Sequence, residues 1–301
     1  DRRVPWNQAE RRPDFDAVRD AVLSHCQAAG GRSLMYDFVL LDEGQDLDAR
    51  CFAIVTHVAR HVTVCMDHNQ QIYDRGCSED DVITALKLKR RQISLLDTFR
   101  CCPYITAMAA IFVGDDRQRA AFLQQTRTAQ TEIETPVIYQ ADGVEDARAH
   151  LMATVATRVQ AGERVGILLP QKRQVFGVAK GLREQGFDVE TQKELDFSSD
   201  TPKVITYHSA KGLTFDSVLL PLLTERSFPR TGGPQLERLL FVALTRATRW
   251  VYLSPYGRLP QLDRLQVLID SGKIALRSQS MQVDRVDRQA KDGDNDLLDA
   301  L

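Results

Sequence analysis

Short apolar runs separated by amphipathic stretches restrict this chain to few folds. YDFVLLD (36–42), HVTVCMD (61–67), QISLLDT (92–98), TPVIYQA (135–141) and RVGILLP (164–170) are nearly unbroken apolar runs. Between or beside them lie segments with apolar residues at helical spacing: DFDAVRDAVLSHCQAA (14–29), LDARCFAIVTHVAR (47–60), SEDDVITALKL (78–88), CPYITAMAAIFV (102–113), GVEDARAHLMATVATRVQAG (143–162) and KRQVFGVAKGLREQG (172–186). Apolar strands without alternation are buried on both faces, and helices between them are the crossovers of a parallel sheet. FDVET, KVITYH, FDSVLLPLL and WVYLSP add short strands, and LERLLFVALTRATR (236–249) reads as a helix between the last two. The expected fold class is α/β, two open parallel-sheet layers in series with a break near Asp97. The expected division is 1–96, 97–260, and a C-terminal helix with a mobile tail over 261–301.

Local signals mark the ends of several helices. Gly30-Gly31 and Gly186 suit helix C-caps, and Ser78 with Asp81 three residues on resembles a capping box. Composition narrows the function classes. The 301 residues carry 39 basic and 41 acidic side chains, so net charge neither requires nor excludes a nucleic-acid partner. No apolar run approaches the roughly 18–20 residues of a membrane-spanning helix. The N-terminus, DRRVPWNQAERR, has no apolar core of a signal peptide and no starting Met, which suggests a fragment or a trimmed product. All six cysteines (Cys26, Cys51, Cys65, Cys77, Cys101, Cys102) fall in the first third without C-x-x-C spacing, as expected of reduced thiols in a cytoplasmic protein.

The run FVLL (38–41) ends in Asp42 and Glu43, with Asp46 close behind. Ligands of open parallel sheets sit at the C-terminal ends of strands, where a divalent cation would relieve the repulsion of adjacent carboxylates. A helix N-cap explains only one acid of the group: Asp46 or Asp48 suits the helix starting at Ala49.

Five blocks in one order resemble the UvrD/Rep family of superfamily 1 DNA helicases. LLDEGQD (40–46) looks like the Walker B block, MDHNQQIY (66–73) is similar to the third motif, and LLDTFRCCPYI (95–105) to the fourth. VITYHSAKGLTFDSVLL (204–220) closely resembles the fifth and ERLLFVALTRATRWVYL (237–253) the sixth. The resemblance implies two RecA-like domains of the P-loop NTPase fold, with Mg²⁺ and ATP bound between them and single-stranded DNA across their tops. Asp42 would hold the Mg²⁺ shell and Glu43 would polarise the attacking water. Gln70 would sense the γ-phosphate, which Arg100 and Arg246 would reach from the far side. Gly212 would allow close backbone approach to the nucleotide, and Thr214 stands where the family has a nucleotide-contacting Glu. Thr206 and His208 would face the DNA backbone, and Tyr73 lies where the family often has a base-stacking aromatic.

The departures are as informative. No G-x-x-x-x-G-K-[ST] loop occurs; the single Gly-Lys pair, Gly272-Lys273, lacks the preceding glycine. The first RecA-like domain is therefore expected to be incomplete and to need a protein partner or a preceding segment to cover it. Met66 replaces the usual Gly of the third motif, and the family's large mobile insertion is absent or much reduced. KLKRR (87–91) is either a solvated helix end or a phosphate-binding patch. The leading expectation is part of an ATP-driven translocase or helicase with 3′-to-5′ polarity on single-stranded DNA or DNA junctions, with no membrane association. The alternatives are a non-catalytic DNA-binding or docking module, in which Arg246 could pair with an acid such as Glu237, and a fragment of a nuclease–helicase fusion.

Overall fold

A computed structural model describes residues 4–8, 12–67, 70–71, 76–88, 101–114, 116–126, 134–229 and 231–279. The strand expected at 92–98, the basic residues Lys89, Arg90 and Arg91, and the tail from 280 onward lie outside the described residues. The chain divides into two compact units, Asp1–Leu95 and Leu96–Leu301.

The first unit opens with an antiparallel pair, β1 (Trp6–Asn7) and β2 (Arg12–Pro13). Helix α1 (Phe15–Ala28) is capped by Asp14, whose carboxylate accepts the Ala17 N–H at 3.0 Å. Strand β3 (Tyr36–Leu41) is followed by α2 (Ala49–Val58), whose cap is Asp48, accepting the Cys51 N–H at 3.1 Å. Strand β4 (Ala59–Val64) then pairs with β3 in parallel, setting Phe38 opposite His61 and Leu40 opposite Thr63. Helix α3 (Glu79–Ala85) carries the full capping box of Ser78 and Asp81. One face of the two-stranded sheet packs on Phe52 of α2 together with Cys77 and Val82, against Leu41 and Val64.

The other face of β3 differs from expectation. Tyr36, Phe38 and Leu40, which share that face by the two-residue period of a strand, are 54, 72 and 75% exposed. A strand read as buried on both sides is thus covered on one side only, because no described layer packs over the second.

The second unit contains α4 (Pro103–Ala110), α5 (Asp116–Gln125), β5 (Val137–Tyr139), α6 (Val144–Gln160), β6 (Val165–Leu169), α7 (Lys172–Glu184), β7 (Glu190–Thr191), β8 (Lys203–Thr206), β9 (Phe215–Leu223), α8 (Gly233–Leu244), β10 (Ala247–Pro255), α9 (Gln266–Asp270) and β11 (Ala275–Arg277). Its seven strands form one all-parallel sheet in the order β11-β5-β10-β9-β6-β8-β7. Leu151 and Val155 of α6 and Val175, Ala179 and Leu182 of α7 pack on Ile167, Val204 and Leu219 of the sheet. Leu168, Ile205 and Leu220, of opposite parity, are equally buried, as two covered faces require. Among the described residues no helix is long and apolar enough to cross a membrane.

Two boundaries depart from the sequence reading. The helix expected over 236–249 stops at Leu244, and Ala247 already belongs to β10. The carbonyl of Arg246 accepts the Phe215 N–H at 2.9 Å, so sheet pairing captures residues that would otherwise extend the helix. The described part of the expected separate C-terminal segment also joins the second unit, since β11 pairs with β5.

An aromatic stack spans this core. The His150 ring lies 3.5 Å from Tyr139 and 5.5 Å from Tyr252, stacked nearly parallel to both, and its Nδ1 is 3.0 Å from the Tyr252 hydroxyl. Arg158 covers the Trp250 ring at 3.6 Å while bonded to Glu134 and, at 3.2 Å, to Glu163. Burial pushes the His150 imidazole below its ordinary value, with Asp146 opposing the shift and Arg277 adding to it.

Two expectations follow from these packing differences. A two-stranded sheet with one bare face should open more readily than a seven-stranded sheet covered on both. Native-state hydrogen exchange should give core amides of β3 and β4 protection about tenfold or more below those of β6 and β9; equal protection would contradict this. The second concerns pH. A depressed folded pKa means that the unfolded chain takes up the proton first as pH falls. The stability that neutral His150 contributes is therefore complete above about 6.5, its unfolded value, and is lost as pH falls below it. The urea midpoint of the second unit, followed at Trp250 in a Trp6→Phe background, should drop more between pH 7 and 5 than that of the same protein carrying His150→Gln.

Candidate functional site

The polar groups of the first unit gather at the C-terminal ends of β3 and β4. Asp42 follows the last residue of β3 and is exposed, its Oδ1 accepting the Glu43 N–H at 2.9 Å. Glu43 is held in the left-handed region, φ 55° and ψ 41°, a conformation that costs a side-chain-bearing residue roughly 1–2 kcal/mol. Such positions persist only where the surroundings over-determine them. Here the Gln45 side-chain N–H₂ donates to the Glu43 carboxylate at 2.5 Å, and Gln45 itself is fully buried. Its amide oxygen accepts the Asp67 N–H at 3.0 Å, and the Asp67 carboxylate accepts from the Gln70 amide at 2.8 Å. The structure therefore brings Asp42, Glu43 and Gln70 to one end of the small sheet through Gln45 and Asp67.

Two glycines allow this closeness. A Cβ on Gly44 would stand 2.3 Å from Val64 Cγ1, and one on Gly76 would stand 1.8 Å from the Gln45 carbonyl oxygen. A larger residue at either position would force the loops apart.

Among the described residues no group of three or more His, Cys, Asp or Glu is placed to hold a metal ion. Mg²⁺ does not require one, since it is commonly held by one or two carboxylates, waters and substrate phosphates. The exposed Asp42 carboxylate at a strand end fits that donor set. A second concavity of the first unit, about 610 Å³, is lined by Asp16, Asp48, Arg50, Cys77 and Asp81. Its acids serve structure: Arg50 bonds Asp16, Asp20 and Asp48. Burial would raise the Asp48 carboxyl, but Arg50 and the Cys51 N–H outweigh it and hold it below its ordinary value.

In the second unit the ends of β6, β8 and β9, adjacent in the sheet, border a cavity of about 150 Å³ lined by Pro170, Gln171, Tyr207, His208, Phe228 and Thr231, among others. His208 is exposed at it. Thr206 is 6% exposed; its hydroxyl lies 2.9 Å from that of Ser209 and accepts the Ser209 N–H at 3.2 Å. Gln192 adds a bond to the Ser209 hydroxyl at 3.1 Å. Tyr207 stacks on Phe228 at 5.9 Å, its phenol raised by burial and its hydroxyl without a partner among the described residues. Gly212 has φ 81°, and nothing lies within 4 Å of a Cβ placed on it, so the turn rather than a close neighbour requires glycine there. Thr214 is half-buried one residue before β9.

Arg246 is 1% exposed, in the turn between α8 and β10. Its Nε donates to the Val242 carbonyl at 3.0 Å and one terminal nitrogen to the Thr245 hydroxyl at 3.4 Å. Glu237, its suggested alternative partner, bonds Arg264 at 2.8 Å instead. Arg100 and Tyr73 lie outside the described residues. The segment directly after Arg100 is nonetheless tied to the Arg246 turn: the Cys102 N–H donates to the Thr248 carbonyl at 3.0 Å, and Cys101 Sγ lies 3.8 Å from the Thr245 carbonyl oxygen. The sequence reading missed Gln45, Asp67, Gln171 and Gln192. Gln45 and Asp67 sit inside quoted blocks, Gln45 as a polar residue among acids and Asp67 three residues before Gln70; Gln171 and Gln192 carry no spacing signal.

Residues 190–257 match the family model described as the UvrD-like helicase C-terminal domain. A "Probable DNA helicase" of Mycoplasma pneumoniae (strain ATCC 29342 / M129 / Subtype 1) is 23% identical over 260 residues, covering 78% of this chain and 47% of that protein. The RecBCD enzyme subunit RecB of Chlamydia pneumoniae is 35% identical over 88 residues, covering 28% of this chain and 8% of that protein. The chain thus spans about half the length of the first relative (47%) and 8% of the second. Among solved structures, the C-terminal domain of a possible DNA helicase from Lactobacillus plantarum WCFS1 aligns with a TM-score of 0.46 at 18% identity, over 60% of this chain and 98% of that one. S. cerevisiae Dbp5 bound to RNA and ADP BeF3 aligns with a TM-score of 0.44 at 12% identity, over 91% of this chain and 67% of that one. Two of the motif blocks, 204–220 and 237–253, fall inside the family match, and over residues 190–257 this chain is similar to the UvrD-like helicase C-terminal domain.

Proposed function

We propose that the chain is part of an ATP-dependent translocase or helicase acting 3′-to-5′ on single-stranded DNA, with Mg²⁺ and ATP as cofactors. The observation that carries the reading is the family match over 190–257, which covers the whole of the VITYHSAKGLTFDSVLL block and of ERLLFVALTRATRWVYL. Support comes from the first unit, where Glu43 is held in a strained conformation beside exposed Asp42, with Gln70 linked to it. In this reading Asp42 holds the Mg²⁺ shell and Glu43 accepts the proton of the attacking water. Gln70 orients that water against the γ-phosphate. Arg246 and Arg100 balance the charge that spreads over the phosphoryl oxygens, since phosphoryl transfer is mostly positioning and electrostatics. A Mg²⁺ ion held at Asp42 would neutralise charge developing on the phosphate.

On the DNA side, His208 is exposed beside the Phe228 cavity at the strand ends. It would contact the backbone, while Thr206, its hydroxyl engaged with Ser209, would hold the turn that presents it. Single-stranded DNA suits a surface that pairs backbone contacts with an aromatic wall.

The expected outcomes separate catalysis from binding. The 301 residues contain no G-x-x-x-x-G-K-[ST], so this chain by itself should turn over ATP at the background rate even with single-stranded DNA present. In a longer protein that supplies the loop, Glu43→Gln should cut turnover by roughly 10²–10⁴-fold, the scale of a lost general base. Turnover within a few-fold of wild type in that variant would sink the enzymatic reading. Binding of a labelled oligothymidylate that weakens with salt and with His208→Ala, without any turnover in the longer protein, would instead support a DNA-binding module.

A further inference from the structure

The strand-end network of the first unit has at its centre a side chain to which the sequence reading gave no role. Gln45 is fully buried, yet both ends of its amide are engaged. A backbone N–H needs an acceptor, so the amide oxygen faces Asp67; a carboxylate needs a donor, so the nitrogen faces Glu43. This fixes the amide's orientation from both sides. The chain of contacts runs from Glu43 Oε2 to Gln45 Nε2 at 2.5 Å, from Gln45 Oε1 to the Asp67 N–H at 3.0 Å, and from the Asp67 carboxylate to Gln70 Nε2 at 2.8 Å. A backbone bond from the Gln70 N–H to the Asp67 carbonyl, 3.1 Å, closes the last turn.

The backbone around Gln45 leaves it little freedom. The Gly44 N–H donates to the Cys65 carbonyl at 2.9 Å, and the Cys65 N–H donates to the Leu41 carbonyl at 2.8 Å. Gly76 presses against the Gln45 carbonyl so closely that only glycine fits. The amide is therefore clamped at its base, and its two hydrogen bonds join the Glu43 carboxylate to the Asp67 backbone. In a buried setting each of these bonds is strong and costly to leave unmade.

We propose that Gln45 is a positioning residue that couples the Glu43 carboxylate to the Asp67–Gln70 turn, so that a displacement of one is felt at the other. The functional meaning rests on the reading of Glu43 as the group facing the attacking water and Gln70 as the group facing the γ-phosphate. Under that reading the state of the water-polarising carboxylate is reported directly to the phosphate-sensing side chain. The coupling itself stands on the contacts alone.

Amide hydrogen exchange by NMR on the full 301-residue chain tests the coupling without ATP. Glu43→Ala should speed exchange of the Gln70 N–H by about threefold or more in the wild-type background and change it by less than about 1.5-fold in a Gln45→Met background, the signature of a pairwise link. Gln45→Glu supplies the second variant. Its carboxylate still accepts the Asp67 N–H but repels Glu43. Asp67 should then keep protection within about threefold of wild type while the effect of Glu43→Ala on Gln70 disappears. A filler role for Gln45 would not separate these two readouts. An equal response of Gln70 to Glu43→Ala in all backgrounds that fold overturns the proposal, as does loss of Asp67 protection in Gln45→Glu. Failure of the ATPase reading would appear in turnover of the longer protein and leave these exchange rates untouched.

Discussion

A parallel strand must be covered on both faces, and the two units of this chain meet that demand differently. In the second unit, α6 and α7 close one face and residues of opposite parity are buried on the other, so β6 is apolar and inaccessible along its whole length. Two charges near this interior are paired. Lys203 meets Glu190 at 2.8 Å and Arg158 is shared between Glu134, Glu163 and the Trp250 ring. In the first unit the same strand type has one covered face, and Tyr36, Phe38 and Leu40 remain exposed on the other. Exposed apolar side chains on a short parallel ribbon leave its stability to α1, α2 and α3 on the opposite side.

The sheets also decide where chemistry can sit. Parallel strands deliver all their C-terminal ends to one edge, so loops distant in sequence meet there. In the first unit this brings the loop after β3 beside the loop after β4, and Gln45 fills the space between them. In the second it gathers Gln171, His208 and Phe228 around one small cavity. The price of the first arrangement is local strain at Glu43, held by a buried amide rather than by its own preference. Strain of this kind is kept where a carboxylate has to point one way.

Much of this was legible in the amino-acid order. Apolar runs and helical spacing pointed to the α/β class, and Asp48 and Ser78 announced their helices by capping chemistry. These are local properties: period, cap residue and turn residue act within a few positions of one another. The motif blocks likewise drew attention to the ends of β3 and β8 from short patterns, though what those residues do is a proposal.

What the tertiary structure decided is what depends on distant partners. The end of α8 at Leu244 follows from the Phe215–Arg246 backbone bond, which no window around 236–249 contains. The exposed face of β3 follows from which layers pack on it, and YDFVLLD reads identically whether one side or two are covered. Gln45 gained its place because β3 and β4 are neighbours, which sets Asp67 within 3.0 Å of an amide 22 residues away. Arg246, read as reaching a γ-phosphate, is buried and donates to the Val242 carbonyl of its own turn. The sequence by itself determined the elements and the residue types at their ends; pairing in the sheet determined which of those ends meet, because hydrogen bonds between strands act across any distance in the chain.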